Sequence, residues 1–292
     1  MNEKNNLHIW SPELSEEAMS FTQPDIMLKL ISTLDDRGWP HLTLITVNRA
    51  ISRNQIVWGQ FFVGTSKQNV QKNPKQGIFY MNTEAPFRFV QVKADFTHTK
   101  TEGEDLEYFN KTDFFRYFTY INVNKVFYND VVAATPIRDL PYKSLSRKIL
   151  KELRKEASSG LDEKRLNVIG YKLFTNAIGI RAIAYVDPSD GYPIIIPSLL
   201  LMAVDHNRLF IPLTALKEDL KKIPNDIKVA VFGANFDMAS QVVKGTISGV
   251  QTVGDFDFKI VEIEEIYNSS PPLTGQIYPE IKTRPKVTKF TL

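Results

Sequence analysis

The residues best placed to do chemistry are Thr65, Ser66 and Lys67, which follow Gly64 at the end of an apolar run beginning at Val57. The pattern reads as a strand, a glycine break and a short helix that stops before Pro74. Thr65 or Ser66 is a good N-cap, because its hydroxyl can accept from an otherwise unpaired amide. Free first-turn amides, hydroxyls and the Lys67 ammonium are the parts of a phosphate cradle.

Other chemistry is thin. There is no cysteine, which excludes disulfides, thiolate catalysis and cysteine-ligated metal. The four histidines, at 8, 41, 98 and 206, have no metal-ligand spacing, so no metal is expected. His41 beside the Asp35-Asp36 turn could serve as an acid or base, or simply start a strand. Asp187 and Asp190 flank Pro188 and precede Gly191, which is turn chemistry. No Gly-x-Ser-x-Gly or Walker loop occurs. The Phe114 to Tyr120 aromatic cluster, with Arg116, could wall a planar ligand or belong to a core.

The 292 residues are 43% hydrophobic and 24% charged, a globular profile long enough for two domains. A net charge of +3 is too balanced to make nucleic acid the main partner. The first residues lack the apolar core of a signal peptide, and no apolar run approaches ~18 residues. These features lead to the expectation of a cytoplasmic protein with no membrane partner.

The elements that must position the cradle are short strands separated by turns. A helix is predicted over Ser11 to Phe21, with acids at Glu13, Glu16 and Glu17. Strand-like runs flank the Asp35-Asp-Arg-Gly-Trp-Pro40 turn, and others cover 51–63, 77–81, 87–96 and 120–128. Glu102 to Phe118 reads as helical. Ser144 to Ser158 reads as a basic amphipathic helix, with Leu145, Ile149 and Leu153 on one stripe.

An internal repeat organises the whole chain, with matches in order about 150 residues apart. Asp36-Arg-Gly-Trp-Pro40 recurs as Ser189-Asp-Gly-Tyr-Pro193. Phe62-Val63 and the Lys67 to Pro74 helix recur as Phe210-Ile211 and Lys217 to Pro224. Gln91-Val-Lys-Ala94 recurs as Val242-Val-Lys-Gly245, and Ile121 to Asn129 as Ile260 to Asn268. The expected fold is mainly β: two tandem barrels with short helices, related by a pseudo-two-fold. The expected boundaries are 1–130 for the first barrel, 131–174 for a helical linker and 175–292 for the second barrel.

The strand, Asp-x-x-Gly-aromatic-Pro turn, Gly-Thr-Ser-Lys-x-Asn-Val-x-x-Asn-Pro and Val-Gln-Val-Lys-Ala motifs resemble the pyridoxamine 5′-phosphate oxidase-like family. The likeness is best over about Leu28 to Tyr128 and weaker over Ile178 to Tyr267. It implies an FMN-binding split barrel, with the flavin phosphate on Thr65, Ser66 and Lys67, helped by Asn48 and Arg49. Trp58, Gly59 and Gln60 would run along the isoalloxazine, and the second barrel could supply the far wall. The second copy has Ala215, Leu216 and Lys217 at the cradle positions, which predicts one phosphate site per chain. The implied function is an FMN-dependent oxidoreductase on an unidentified small molecule. The alternative is a non-enzymatic flavin- or haem-binding protein, or an interaction module without cofactor. The pseudo-dimer leaves a further homodimer open.

Overall fold

The computed structural model describes residues 10–61, 64–112, 122–141, 163–176, 179–235, 239–269 and 275–280. The first half runs α1 (Glu16–Phe21), β1 (Leu28–Leu34), β2 (Pro40–Leu44), β3 (Asn48–Ser52), β4 (Gln55–Gln60), α2 (Thr65–Lys72) and β5 (Lys75–Met81). It continues with β6 (Arg88–Lys100), α3 (Glu104–Lys111), β7 (Lys125–Ala134) and β8 (Arg138–Asp139). The second half runs α4 (Val168–Thr175), β9 (Ile180–Val186), β10 (Pro193–Pro197), β11 (Met202–Ala203) and β12 (Arg208–Pro212). Then come α5 (Lys217–Lys221), β13 (Lys228–Ala234), β14 (Ser240–Val253), β15 (Phe256–Asn268) and β16 (Gly275–Tyr278).

Each half is one antiparallel sheet of eight strands. The path through the first is β2-β1-β5-β6-β7-β4-β3, with β8 beside β6; the second repeats it as β10-β9-β13-β14-β15-β12-β11, with β16 beside β15. The two ends of each path are consecutive in the chain. Seven strands laid flat would span roughly 29 Å at the usual strand spacing. Only Ile45 to Val47 joins β2 to β3, so the sheet must curl until its ends meet. The Ile45 amide donates to Lys29 of β1, and the Gly59 amide of β4 donates to Val47, so the join is stitched on both sides. The result is a split barrel, present twice.

The leading helix belongs to the repeat. Ser15 caps α1 by accepting from the Ala18 amide, and Asn167 caps α4 by accepting from Gly170. Lys29 on β1 donates to the carbonyl of Thr22 at the end of α1, and Arg181 on β9 donates to Leu173 in α4. Each buried cation thus ties its barrel to its helix. Helix α4 lies at the end of the segment 131–174 expected as linker and passes it by one residue, Thr175. Helix α1 begins later than the predicted Ser11, because Ser11 exchanges two backbone bonds with Ala134 of β7. The structure gives α3 as Glu104–Lys111. The basic helix predicted over 144–158, the aromatic cluster 114–120 and Phe62-Val63 lie outside the described residues.

Register corrects one repeat match. Lys93 pairs with Ala133, and Lys244 with Glu265, so β15 overlays β7 with Tyr267 at the place of Thr135, not Tyr128. Bulges in both strand pairs and the extra α3 hide this in the sequence.

Strand β1 is buried along its whole length. Alternation explains this: Ile31 faces the barrel interior with Trp58, Ile78 and Phe127, while Leu28 and Leu30 face the other barrel. The seam between barrels is apolar, with Leu42, Phe79 and Phe89 against Ile195, Phe232 and Val242. Burial of each phenylalanine is worth roughly 1.5–3 kcal/mol. That outweighs the ion pairs at the rim, which are still informative because they are reciprocal. Lys93 meets Asp187 of the second half at 3.1 Å, and Lys244 meets Asp35 of the first at 2.8 Å. Lys75 lies over the Tyr192 ring at 4.7 Å, and Lys228 over Trp39 at 4.6 Å. Such paired contacts are the signature of an isologous two-fold interface, here within one chain.

Candidate functional site

Helix α2 begins with Gly64 as its cap, in an extended conformation and with no side-chain capping bond. This corrects the expected Thr65 or Ser66 cap. The Gly64 carbonyl accepts from the Lys67 amide at 3.1 Å, so Thr65 and Ser66 fall inside the first turn. Among the described residues no acceptor pairs with their amides. Their hydroxyls are released from capping and turn to other elements. Thr65 donates to the Tyr267 hydroxyl at 3.1 Å, and Ser66 shares a 2.5 Å bond with Thr43 of β2.

Lys67 has no carboxylate partner among the described residues. Burial lowers its pKa to about 8, since desolvation disfavours the charged form. Beside it His41, on β2, is buried and packs edge-on against Tyr267 at 4.8 Å. Desolvation, and then the Lys244 and Lys67 charges against Asp35, hold its pKa at about 3, so His41 is neutral at pH 7. Asp35 lies at about 2: burial would raise it, but the hydrogen bond and charge of Lys244 prevail. The site is therefore a first helical turn, two residues of β2 and a tyrosine from the opposite barrel. It gathers hydroxyls, amides and one ammonium without an acid among the described residues, an arrangement able to hold an anion.

Of the sequence-predicted residues, Thr65, Ser66 and Lys67 are brought together. Of the other five residues, the four side chains are engaged elsewhere and Gly59 has none. Trp58 is fully buried, stacks on Phe127 at 3.9 Å and donates to Gln76. Its ring is 6.0 Å from the Lys67 ammonium. A Cβ on Gly59 would come within 2.8 Å of Val123, so this glycine permits close packing. Gln60 donates to Asn124, and Asn48 accepts from Tyr80 inside the barrel. Arg49 pairs with Asp105 of α3 at 3.1 Å and lies 3.8 Å over the Tyr108 ring. Sequence reasoning missed Thr43 and Tyr267. Tyr267 lay in the repeat, but its proximity to Thr65 depends on how the barrels dock.

The second half lacks this arrangement. Buried Asp219 and Leu220 match buried Asn69 and Val70, which places Lys217 opposite Lys67. Helix α5 starts only at Lys217, capped by Leu216 in a left-handed conformation at φ 51°. Asp219 is gripped by both terminal nitrogens of Arg138 at 3.0 and 2.7 Å, and Arg138 also reaches Gln91. Around Ala215 lies a small cavity of about 30 Å³ lined by Phe87, Leu140, Pro197 and Leu199. It is apolar apart from Thr214 and Ser198, and the Thr214 hydroxyl is buried with no hydrogen-bond partner among the described residues.

No family model matches the chain, and no curated protein matches it. Solved structures do. An FMN-binding protein from Syntrophomonas wolfei is 17% identical over 45% of this chain and 87% of its own, with a TM-score of 0.37. A putative pyridoxamine 5′-phosphate oxidase from Lactobacillus delbrueckii is 15% identical over 43% of this chain and 95% of its own, with a TM-score of 0.33. A heme binding protein from Mycobacterium smegmatis is 10% identical over 81% of this chain and 83% of its own, with a TM-score of 0.29. The two shorter proteins each match about half of this chain. These scores are too low to carry the fold or the ligand, which rest on the chain's own geometry. Among the described residues no helix is long and apolar enough to cross a membrane, and no group of three metal-ligating side chains occurs.

Proposed function

We propose that the chain binds FMN through the first turn of α2 and acts as an FMN-dependent oxidoreductase on a small molecule. The observation that carries this is Lys67: a desolvated ammonium with no carboxylate partner among the described residues, beside two hydroxyls at a helix start. A protein does not hold such a charge out of water without cost unless an anion completes it. A phosphate monoester fits, because the Lys67 ammonium, the Thr65 and Ser66 amides and the Thr65, Ser66 and Tyr267 hydroxyls offer it several donors. Bound flavin would supply the redox chemistry. The chain's own part is to bind the phosphate, orient the ligand between two barrels and exclude water at the seam.

His41 does not serve as a base in this reading, since it is buried and its pKa lies far below neutrality. A second reading, flavin binding without catalysis, is favoured by the engagement of Asn48, Arg49, Trp58 and Gln60 in internal contacts. An absorbance titration with FMN tests the proposal, with haem as a parallel titrant. Flavin bands at about one per chain, with FMN affinity weakened about tenfold or more in Lys67→Met, are the expected result. A Soret band with haem and no response to FMN overturns it. Reduction of bound flavin by a nicotinamide donor, followed by reoxidation, separates the two readings.

A further inference from the structure

The two rims related by the pseudo-two-fold are closed differently. On one, Arg37 in the β1–β2 turn reaches Glu265 of β15 with both terminal nitrogens. On the other, register puts Ala133 in the place of Glu265, because Lys93 pairs with Ala133 where Lys244 pairs with Glu265. Gly38 and Gly191 anchor the two turns at φ 75° and 76°, so Asp190 stands one residue before its glycine, as Arg37 does. An arginine–glutamate bridge is thus replaced by an aspartate opposite a methyl group. Asp190 turns onto Lys93 instead, at 2.6 Å, and shares it with Asp187 at 3.1 Å.

The lost bridge coincides with a cleft of about 470 Å³, within the range of small-molecule sites. Trp10, Val132 and Ile194 give it apolar walls. Its lining carries two carboxylates, Asp187 and Asp190, and two ammoniums, Lys93 and Lys222, which are unevenly paired. Both carboxylates pair with the Lys93 ammonium, and the Lys75 ammonium reaches Asp190 only at its backbone carbonyl. Lys222, also in the lining, has no acidic partner among the described residues. The Asp190 side chain keeps 39% of its surface open to solvent, so it can take a second cation.

We infer that this cleft binds a zwitterion with an apolar side chain, of the free amino-acid class. Its ammonium pairs with Asp190, its carboxylate with Lys222, and its body lies against Trp10 and Ile194. An organic cation would leave Lys222 unanswered, and an anion would leave the open side of Asp190 unanswered. None of Thr65, Ser66, Lys67 or Tyr267 lines the cleft, so the inference is independent of the flavin reading.

Calorimetric titration of the full chain tests it with three probes: L-phenylalanine, the cationic phenylalanine amide and the anionic N-acetylphenylalanine. The expected result is measurable binding of L-phenylalanine, with each of the others weaker by about tenfold or more. Trp39 and Trp58 are buried, so acrylamide quenching reports mainly on Trp10, which L-phenylalanine should protect. Ala133→Glu combined with Asp190→Arg rebuilds the Arg37–Glu265 bridge in the cleft and should cut L-phenylalanine affinity about tenfold at an unchanged melting temperature. Lys222→Ala should weaken the zwitterion and leave the amide unaffected; it decides the matter if the double variant does not fold. No binding of any probe up to ~10 mM, or equal binding of amide and zwitterion, overturns the inference.

Discussion

Helices α2 and α5 occupy matching places in two barrels of the same strand order, yet only α2 keeps a desolvated first-turn lysine without an acidic partner among the described residues. In the first half the cap is Gly64, two hydroxylated residues follow, and Lys67 is left without an acid among the described residues. In the second, Leu216 takes the cap, the helix is shorter, and Asp219 is held by Arg138 from the opposite half. Both are stable solutions for a helix end at a barrel seam. The comparison teaches that one helix end is closed by an internal ion pair, while the other keeps a desolvated charge with no acid beside it among the described residues.

The largest effect should come from breaking the closed end. Arg138→Ala removes the bidentate cation from buried Asp219, and should cost about 3–5 kcal/mol in a denaturant titration. Arg138→Met with Asp219→Leu should recover most of that. If Arg138→Ala is neutral, the pair does not close the second site. Next comes the open end. Lys67→Met should lose about 1.5–3 kcal/mol of FMN affinity. It should also raise the melting temperature of the ligand-free protein, because a desolvated charge is removed.

A smaller, graded effect follows from pH. Above about 8 the Lys67 ammonium loses its proton, so FMN affinity should fall through that range, and Lys67→Met should abolish the fall. Stability should move the other way. Lys67 and Lys29 both titrate near 8 when folded, against 10.5 unfolded, so the unfolded chain binds more protons between those values. These two groups therefore add stability as pH rises from about 8 to 10.5, which melts of wild type and Lys67→Met would reveal. The smallest effect is expected at Lys217→Ala: within about 0.5 kcal/mol in stability, and no change in FMN affinity. Equal affinity losses at Lys67 and Lys217 would refute the asymmetry between halves.

The β-rich duplication was legible because its signals are local. Alternating apolar residues, the Gly38 and Gly191 turns and the Val-Lys motifs at Lys93 and Lys244 recur at a nearly fixed distance. The last strand of the repeat was misread by seven positions, since a bulge shifts register without leaving a mark in composition. At the site, Thr65, Ser66 and Lys67 were legible as a contiguous motif. The resemblance placed Trp58 along a ligand, and the structure puts it in the core, stacked on Phe127. Arg49 looked available until α3 folded over it and supplied Asp105.

The sequence alone determined the short strands, the sharp turns, the two copies and the hydroxyl–lysine helix start, because each depends on neighbours within one element. Tertiary structure alone decided that Tyr267, 202 residues away, meets Thr65. It also decided that Lys67 lies out of water without an acid beside it, and that Ala133 and Asp190 leave a rim open. Those outcomes depend on how two curved sheets dock. Desolvation and charge balance are properties of what surrounds a side chain, and the chain order does not state them.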